Sequence, residues 1–387
     1  MRPLVSGPEA KRYEECATDT YLLFPYETDK RGAVALIDAE TMAVRYPLAM
    51  QHLTNFEVKL RERETSSFDD HQWYRFGRNQ NLDKQELSKL IVAQTVPQMR
   101  VCADFDGSKY LNNVRVNGIL NAPGCDVAFL LGVLNGAVAD FVFRRTAKPK
   151  QGGWFEANKQ FIAPLPVPHA NESEQHEIGG RARALQVSWT RRRDLLLEAE
   201  ARLSVLGRAR HGARWLWPDL PDMTALKDQA PRALRAHEKT EWAHGRLSEL
   251  EEAQLAALQG VLDGGTPLSA RFSDGELRLY AGGEVVLGKI YLDPPEGALA
   301  EAYWRFLLLR REARDAKSLA SSLRRVPAGP ETPAARQFIE RVAALVDETQ
   351  ALRVAERGMN ERLYELYRLS PEERLLVEKD CAARAVI

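Results

Sequence analysis

The stretch from Val127 to Phe143, VAFLLGVLNGAVADFVF, constrains the fold more than any other feature of the sequence. It is strongly apolar and long enough for a helix, so a folded chain must bury it in a core. No uninterrupted apolar run approaches the about 20 residues that a membrane span needs. The sequence therefore predicts one buried core helix over 127–143 and no membrane partner.

Length and composition indicate an ordinary globular protein. The chain has 387 residues, which at roughly 150 residues per domain allows two or three domains. The N-terminus, MRPLVSGPEAKRYEE, lacks the apolar segment of a signal peptide. The cysteines show neither metal-ligand spacing nor a disulfide framework, and we expect a cytoplasmic location. They are Cys16, Cys102, Cys125 and Cys381.

Apolar periodicity predicts an α+β fold: a mixed domain, then long helices, a small inserted region with a β-hairpin, and a helical C-terminal tail. The predicted segments are a target-recognition domain at 1–170, a charged helix or linker at 171–206, an insert at 207–330 and a helical region at 331–387. Strands are predicted at 21–26, 33–37, 90–93 and 101–105, a hairpin at 276–292, and helices at 46–63, 127–143, 174–210, 303–324, 334–357 and 360–367. Ser370-Pro371-Glu372-Glu373 has the pattern of a capping box at the start of a last helix.

The charges balance, with 54 basic and 54 acidic side chains, which by itself argues against a nucleic-acid partner. However, residues 141–155 contain four cations and no acid, and residues 181–210 are rich in arginine. Such a basic helix is typical of a solvated or partner-binding face, with nucleic-acid contact as the sharper alternative. The zero net charge therefore leaves DNA binding open, and we expect a partner to supply part of the affinity.

The segment from His71 to Leu82, HQWYRFGRNQNL, combines aromatic residues with the side chains that read nucleic acid. Arginine pairs bidentately with guanine or phosphate, and asparagine or glutamine pairs with adenine. The alternative is a polar loop folded on itself through amide hydrogen bonds. The candidates for base or phosphate contact are Arg75, Arg78, Asn79, Gln80 and Asn81.

Two further segments offer phosphate-binding candidates. Between Arg144 and Lys159 the chain carries Lys148, Lys150 and Trp154 beside two glycines, which allow a ligand to approach the backbone closely. The turn DFDGSKY at 104–110 presents Lys109. Lysines at these positions would hold phosphates without reading sequence. A solvated basic turn and a plain structural turn are the alternatives.

The sequence lacks the common enzyme motifs. Catalysis by this chain is left open. It has no P-loop, no G-x-G-x-x-G and no G-x-S-x-G pattern. Asp293-Pro294-Pro295 resembles the Asp-Pro-Pro-Tyr motif of amino-methyltransferases, but Glu296 occupies the place of the aromatic that stacks on the flipped base. We expect neither a catalytic residue nor a bound cofactor or metal in this chain.

Several motifs follow one another in a fixed order: RPLVSG at 2–7, KRY at 11–13, LLFPY at 22–26, WY and GRNQNL within 73–82, DFDGSKY at 104–110, LLGVLNG at 130–136, GGWFEANKQFIAPLP at 152–166 and NERLYELYRLSPEERLLVE at 360–378. Together they resemble the target-recognition region of type IIG restriction-modification enzymes, the Taq-methyltransferase-like C-terminal specificity domain. The resemblance covers about 1–205 and 333–380, and 207–330 has no counterpart in it.

The resemblance implies sequence-specific binding of double-stranded DNA for adenine methylation in restriction-modification, and hence phage defence. It implies a separate methyltransferase subunit, or a preceding domain, that carries S-adenosylmethionine and flips the adenine. The chain itself is then a specificity subunit or fragment that positions the catalytic domain. The alternative is a protein-interaction or inhibitor module that has lost DNA binding. The recognised DNA sequence, an associated nuclease and the oligomeric state are left open.

Overall fold

The structure, a computed structural model, describes residues 1–29, 32–112, 114–310 and 315–382. The predicted α+β class is confirmed: several small sheets accompany long helices and a helical C-terminal tail. Contacts divide the chain into one unit of Met1–Thr190 with Ala355–Ala382 and a second unit that includes Arg191–Val354. The boundaries of the four segments predicted from the sequence differ from those of these two units, and the four segments stay a prediction.

The first unit, hereafter the N-terminal unit, is built on short strands. Lys89–Ala93 is completely buried and pairs antiparallel with strands on both sides, as expected for the predicted buried run. The other predicted strands are also present, although Leu23, Phe24 and Pro25 divide the one expected over 21–26. The strands of this unit are Arg2–Val5, Tyr21–Leu22, Tyr26–Thr28, Val34–Leu36, Lys89–Ala93, Thr95–Val96, Cys102–Asp104, Tyr110–Leu111, Val116–Ile119, Pro149–Lys150 and Trp154–Glu156.

Helices surround these strands. The helix expected over 46–63 is divided at Asn55 and Phe56, and the turn that follows Arg61 has left-handed backbone at Glu64 and Thr65. The helices are Ala39–Arg45, Pro47–Thr54, Glu57–Arg61, Val127–Asn135, Ala137–Thr146, Lys159–Ile162 and Pro371–Ala382, with parts of Glu172–Ser204 and Pro333–Tyr367. The predicted capping box is confirmed, since Ser370 N–H donates to Glu373 and Glu373 N–H donates to the Ser370 hydroxyl.

The prediction of a single helix over 127–143 is wrong. The chain forms two helices, Val127–Asn135 and Ala137–Thr146, bent by 66° at Gly136, whose backbone is extended. Tertiary contacts explain the break: the Asn135 side chain exchanges hydrogen bonds with the Val101 backbone, and Ala137 N–H donates to the Asn360 side chain. Among the described helices, no single one has the length and apolarity to cross a membrane, and only this bent pair does so in combination.

The two helices predicted over 334–357 and 360–367 are one helix, Pro333–Tyr367. Gly358 lies between the two predicted segments, and helical structure continues through it. Met359 next to it is buried, and Asn360 bonds the Ala137 backbone, so tertiary contacts hold this turn in place.

The second unit packs a three-stranded antiparallel meander and helices around its own apolar core. The predicted hairpin is confirmed as Glu276–Ala281 and Glu284–Tyr291 joined at Gly282-Gly283, and Leu268–Ser273 adds a strand that was not predicted. Asp293-Pro294-Pro295 lies at the start of a helix, where Asp293 C=O accepts from Gly297 N–H. The helices are Ala213–Leu216, Met223–Gln229, Ala236–Asp263, Pro294–Arg310 and Ala316–Leu323. The predicted 303–324 helix includes 311–314, which lie outside the described residues.

Candidate nucleic-acid interface

A short part of the 71–82 segment belongs to the core. Trp73 and Tyr74 are buried and form an apolar cluster with Ile37 and Met42. The Tyr74 hydroxyl donates to the Ile37 carbonyl at 2.6 Å. These two aromatic residues therefore anchor this segment to the N-terminal unit instead of facing solvent.

Two arginines then hold the loop in shape. Arg63 Nη2 donates to the carbonyls of Trp73 and Arg75 at 2.8 and 2.9 Å. Arg75 Nη1 donates to Asp70 at 2.6 Å and Nη2 donates to the Ser67 carbonyl at 3.1 Å. Burial, and then the charge of Arg75, hold the pKa of Arg63 below its usual value. Arg63 gave no signal in the sequence, because it lay in a predicted helix.

The middle of the loop is different. Arg78, Asn79 and Gln80 are exposed, and within the described residues their side chains make no hydrogen bond or ion pair. Asn81 has left-handed backbone with φ 58°, and its side-chain oxygen accepts from Lys84 Nζ at 2.9 Å. Of the five predicted contact residues, three therefore present unpaired polar groups, whereas Arg75 and Asn81 already have partners. Asn79 also lines a cleft of about 530 Å³.

The turn at 104–110 is held by a buried ion pair. Lys89 Nζ lies 2.6 Å from Asp104 Oδ2, and Lys89 also donates to two backbone carbonyls. Asp104 in turn accepts from the backbone N–H groups of Ser108 and Lys109. These bonds brace the turn, and Lys109, which is half-buried, lines a cleft of about 420 Å³.

A second cation faces the same cleft. Arg183 from the long helix lines it, with its guanidinium 3.8 Å from the centre of the Phe105 ring. Glu15 and Asp106 also line this cleft, so its charge is mixed. The structure thus places Lys109 beside an arginine that the sequence did not connect with it.

The basic run that begins at Arg144 separates into paired and exposed cations. Arg144 is buried and pairs with Asp140 at 2.9 Å and with Asp380, which Arg145 also contacts at 3.1 Å. Lys150 pairs with Glu156 at 3.0 Å, and this hydrogen bond lowers the pKa of the Glu156 carboxyl. Lys148 and Lys159 are exposed and without an ion pair to any residue in the described ranges.

Trp154 stands beside these lysines. It pairs with Lys150 across two antiparallel strands, and 40% of its surface is exposed. The guanidinium of Arg100 lies 5.7 Å from the centre of its ring. The sequence gave no indication of Arg100, because it stands alone between two predicted strands.

Several arginines of the arginine-rich helix, Glu172–Ser204, form ion pairs within the chain. In the N-terminal unit Arg181 pairs with Glu177 at 3.0 Å. In the second unit Arg191 pairs with Glu348 at 3.3 Å and Arg193 with Asp194 at 2.9 Å. Much of the positive charge predicted for this helix is therefore matched by neighbouring acids.

No group of three or more His, Cys, Asp or Glu side chains in the described ranges has the arrangement of a metal site. In the comparisons with known proteins, no family model matches the chain, and no curated protein matches it significantly.

Proposed function

We propose that the N-terminal unit binds double-stranded DNA in a sequence-specific manner and positions a separate adenine methyltransferase. One observation carries this proposal: Arg78, Asn79 and Gln80 project unpaired from a loop whose start is buried in the core. An anchored loop loses little conformational freedom on binding, and this favours affinity. The resemblance of the motif order to type IIG specificity domains supports the same assignment.

The side chains have the chemistry that base recognition needs. A guanidinium bonds O6 and N7 of guanine, and an amide bonds N6 and N7 of adenine. Lys109, Lys148, Lys150 and Lys159 would hold phosphates and fix the register, with Trp154 beside them. Arg75 then acts by keeping the loop in shape, since its terminal nitrogens already donate within it.

Catalysis belongs to the partner in this proposal. The methyltransferase subunit or domain binds S-adenosylmethionine, flips the adenine out of the duplex and methylates it. The present chain supplies the choice of sequence, as in a restriction-modification system acting in phage defence. Its balanced charge fits a protein that shares phosphate contacts with its partner.

The test begins with selection of a preferred duplex from a random library by the full wild-type chain. The affinity of Arg78→Ala/Asn79→Ala is then measured on this duplex and on an unrelated one. We expect a loss of about 1–3 kcal/mol per contact on the selected duplex and little change on the other. Arg357→Ala is the matched control, because Arg357 is also exposed in this unit. Wild-type affinity of the double variant on both duplexes would refute sequence readout by the loop at 71–82, hereafter the readout loop.

A protein-interaction module is the second candidate, and one observation favours it. Val44, Leu48 and Val58, on three successive short helices, are largely exposed apolar residues. Exposed apolar patches frequently mark protein contacts. The two functions separate in one measurement, because an interaction module without DNA binding would select no duplex even at low salt.

A further inference from the structure

Arg100 has an unusual environment. Its Nε is buried, and it is the only buried side-chain nitrogen or oxygen in the described ranges without a hydrogen-bond partner. Its other guanidinium nitrogens donate to no described residue either, although the side chain is partly exposed. Buried polar groups are nearly always satisfied, so each exception calls for a physical reason.

This environment disfavours the charged guanidinium in the free protein. Burial lowers the pKa of Arg100, and the charge of Glu14 opposes the effect only in part. A buried donor without an acceptor loses its hydration and gains nothing in return. Groups that weaken the folded state in this way are frequently found at binding sites, where a ligand supplies the missing interaction.

The neighbours of Arg100 form an open surface of mixed charge, because Lys150 lies there paired with Glu156 at 3.0 Å. The Trp154 ring lies against the guanidinium and is 40% exposed, and Lys150 pairs with Trp154 across the strands. Gly152 and Gly153 between them have positive φ angles of 75° and 77°, and a Cβ at Gly153 would meet nothing within 4 Å. An anion therefore has free access to this turn.

We propose that Arg100, beside Trp154 and Lys150, is the centre of a binding site for a phosphate group. Phosphate oxygens accept two parallel hydrogen bonds from a guanidinium. These charge-assisted bonds are stronger than hydrogen bonds to neutral acceptors. The open shape suits a group within a polymer backbone. As the occupant we name a DNA phosphodiester, and this part rests on the proposed function.

The first experiment needs no DNA. The melting temperature of the full chain is followed as inorganic phosphate replaces chloride at constant ionic strength, for the wild type and for Arg100→Met. We expect phosphate to raise the melting temperature of the wild type only, because a ligand stabilises the state that binds it. Without phosphate, Arg100→Met should melt at or above the wild-type temperature, since it removes the unsatisfied donor.

Arg305→Met is the matched control. Arg305 is also partly exposed, but its Nε donates to the Ala270 carbonyl at 3.0 Å and it pairs with Glu301. Its loss should lower the melting temperature and leave the phosphate effect intact. Arg100→Gln also removes the charge and the guanidinium, and it gives the same comparison in place of Arg100→Met if that variant fails to fold.

The second arm identifies the occupant through the salt dependence of duplex binding. Loss of one phosphate contact reduces the slope of log K against log salt by about 0.9. A smaller slope in Arg100→Met supports the phosphodiester. A phosphate effect with an unchanged slope supports a free phosphate instead and overturns the DNA occupant.

The melting temperature with other anions tests the site itself. If acetate stabilises the wild type as much as phosphate does, the ligand is a carboxylate and the phosphate site is overturned. If phosphate leaves the melting temperature of the wild type unchanged, or raises that of Arg100→Met equally, the site is overturned, whereas the readout loop is judged separately through Arg78 and Asn79.

Discussion

The indole Nε1 of Trp189 donates a hydrogen bond of 2.8 Å to Oε1 of Glu356. The same carboxylate oxygen accepts from Arg12 Nη1, and Arg12 Nη2 donates to the Asn135 carbonyl at 3.0 Å. Three segments that are distant in sequence therefore meet at one carboxylate within the N-terminal unit, and Arg12 connects them to a fourth at Asn135. This network lies close to the Gly136 break and fixes the helices that carry it.

We expect Glu356→Gln to lower the free energy of unfolding by about 3 kcal/mol, because it leaves a largely buried guanidinium without its counter-charge. Only 15% of the Arg12 side chain and 17% of the Glu356 side chain are exposed. Urea denaturation measures the effect. Glu198→Gln is the control: its pair with Arg341 is 53% and 48% exposed, so about 1 kcal/mol or less is expected. Equal losses in the two variants would contradict a special role for the buried pair.

Gly136→Ala should destabilise the protein by about 1–3 kcal/mol through overpacking. A Cβ at this position would lie 2.5 Å from Cδ1 of the buried Leu363. Leu363→Ala removes that clash, so the double variant should lose less stability than the sum of the two single variants. Gly180→Ala, where a Cβ meets nothing within 4 Å, is the control and should be neutral or slightly stabilising. Strict additivity of the first two changes would show that Leu363 is not what excludes a side chain there.

Arg63→Met should loosen the readout loop. The variant loses the two hydrogen bonds from Nη2 to the Trp73 and Arg75 carbonyls and one from Nε to the Leu60 carbonyl. Hydrogen exchange of the backbone amides of Arg75 and Phe76 should become faster, because looser packing of the loop weakens their bonds to the Gln72 carbonyl and the Tyr26 hydroxyl. Arg45→Met, which removes an exposed pair with Glu27, should leave these amides unchanged. Unaltered exchange in Arg63→Met would mean that the aromatic anchors suffice.

His211 should make the second unit sensitive to pH. Its ring stacks on Trp215 with centroids 4.4 Å apart, and burial lowers the pKa of His211 below the ordinary 6.5, against the opposing charge of Glu296. The unfolded chain therefore binds a proton more tightly than the folded one, so the contribution to stability is complete above pH 6.5 and is lost as the pH falls. NMR titration should give a pKa below 6.5, and His211→Phe should weaken the pH dependence of unfolding. A pKa above 6.5 would reverse the sign and refute this account.

Local signals predicted much of the secondary structure. The Gly282-Gly283 turn, the Ser370 capping box and the buried run at Leu90–Ala93 each depend on neighbours in sequence, and each is present. The helix through 127–143 failed because its break at Gly136 depends on contacts with Val101 and Asn360. Apolar periodicity carries no information about such distant partners.

The candidate site shows the same division. The sequence by itself determined the α+β class, the apolar core and the concentration of polar and aromatic residues at 71–82. Only the tertiary structure decided that Arg75 braces the loop while Arg78 points to solvent, and that Arg144 is buried while Lys148 is exposed. It also brought Arg100 to Trp154. The reason is physical: residue type and spacing set what a side chain can bind, whereas its availability depends on which donors and acceptors folding places around it.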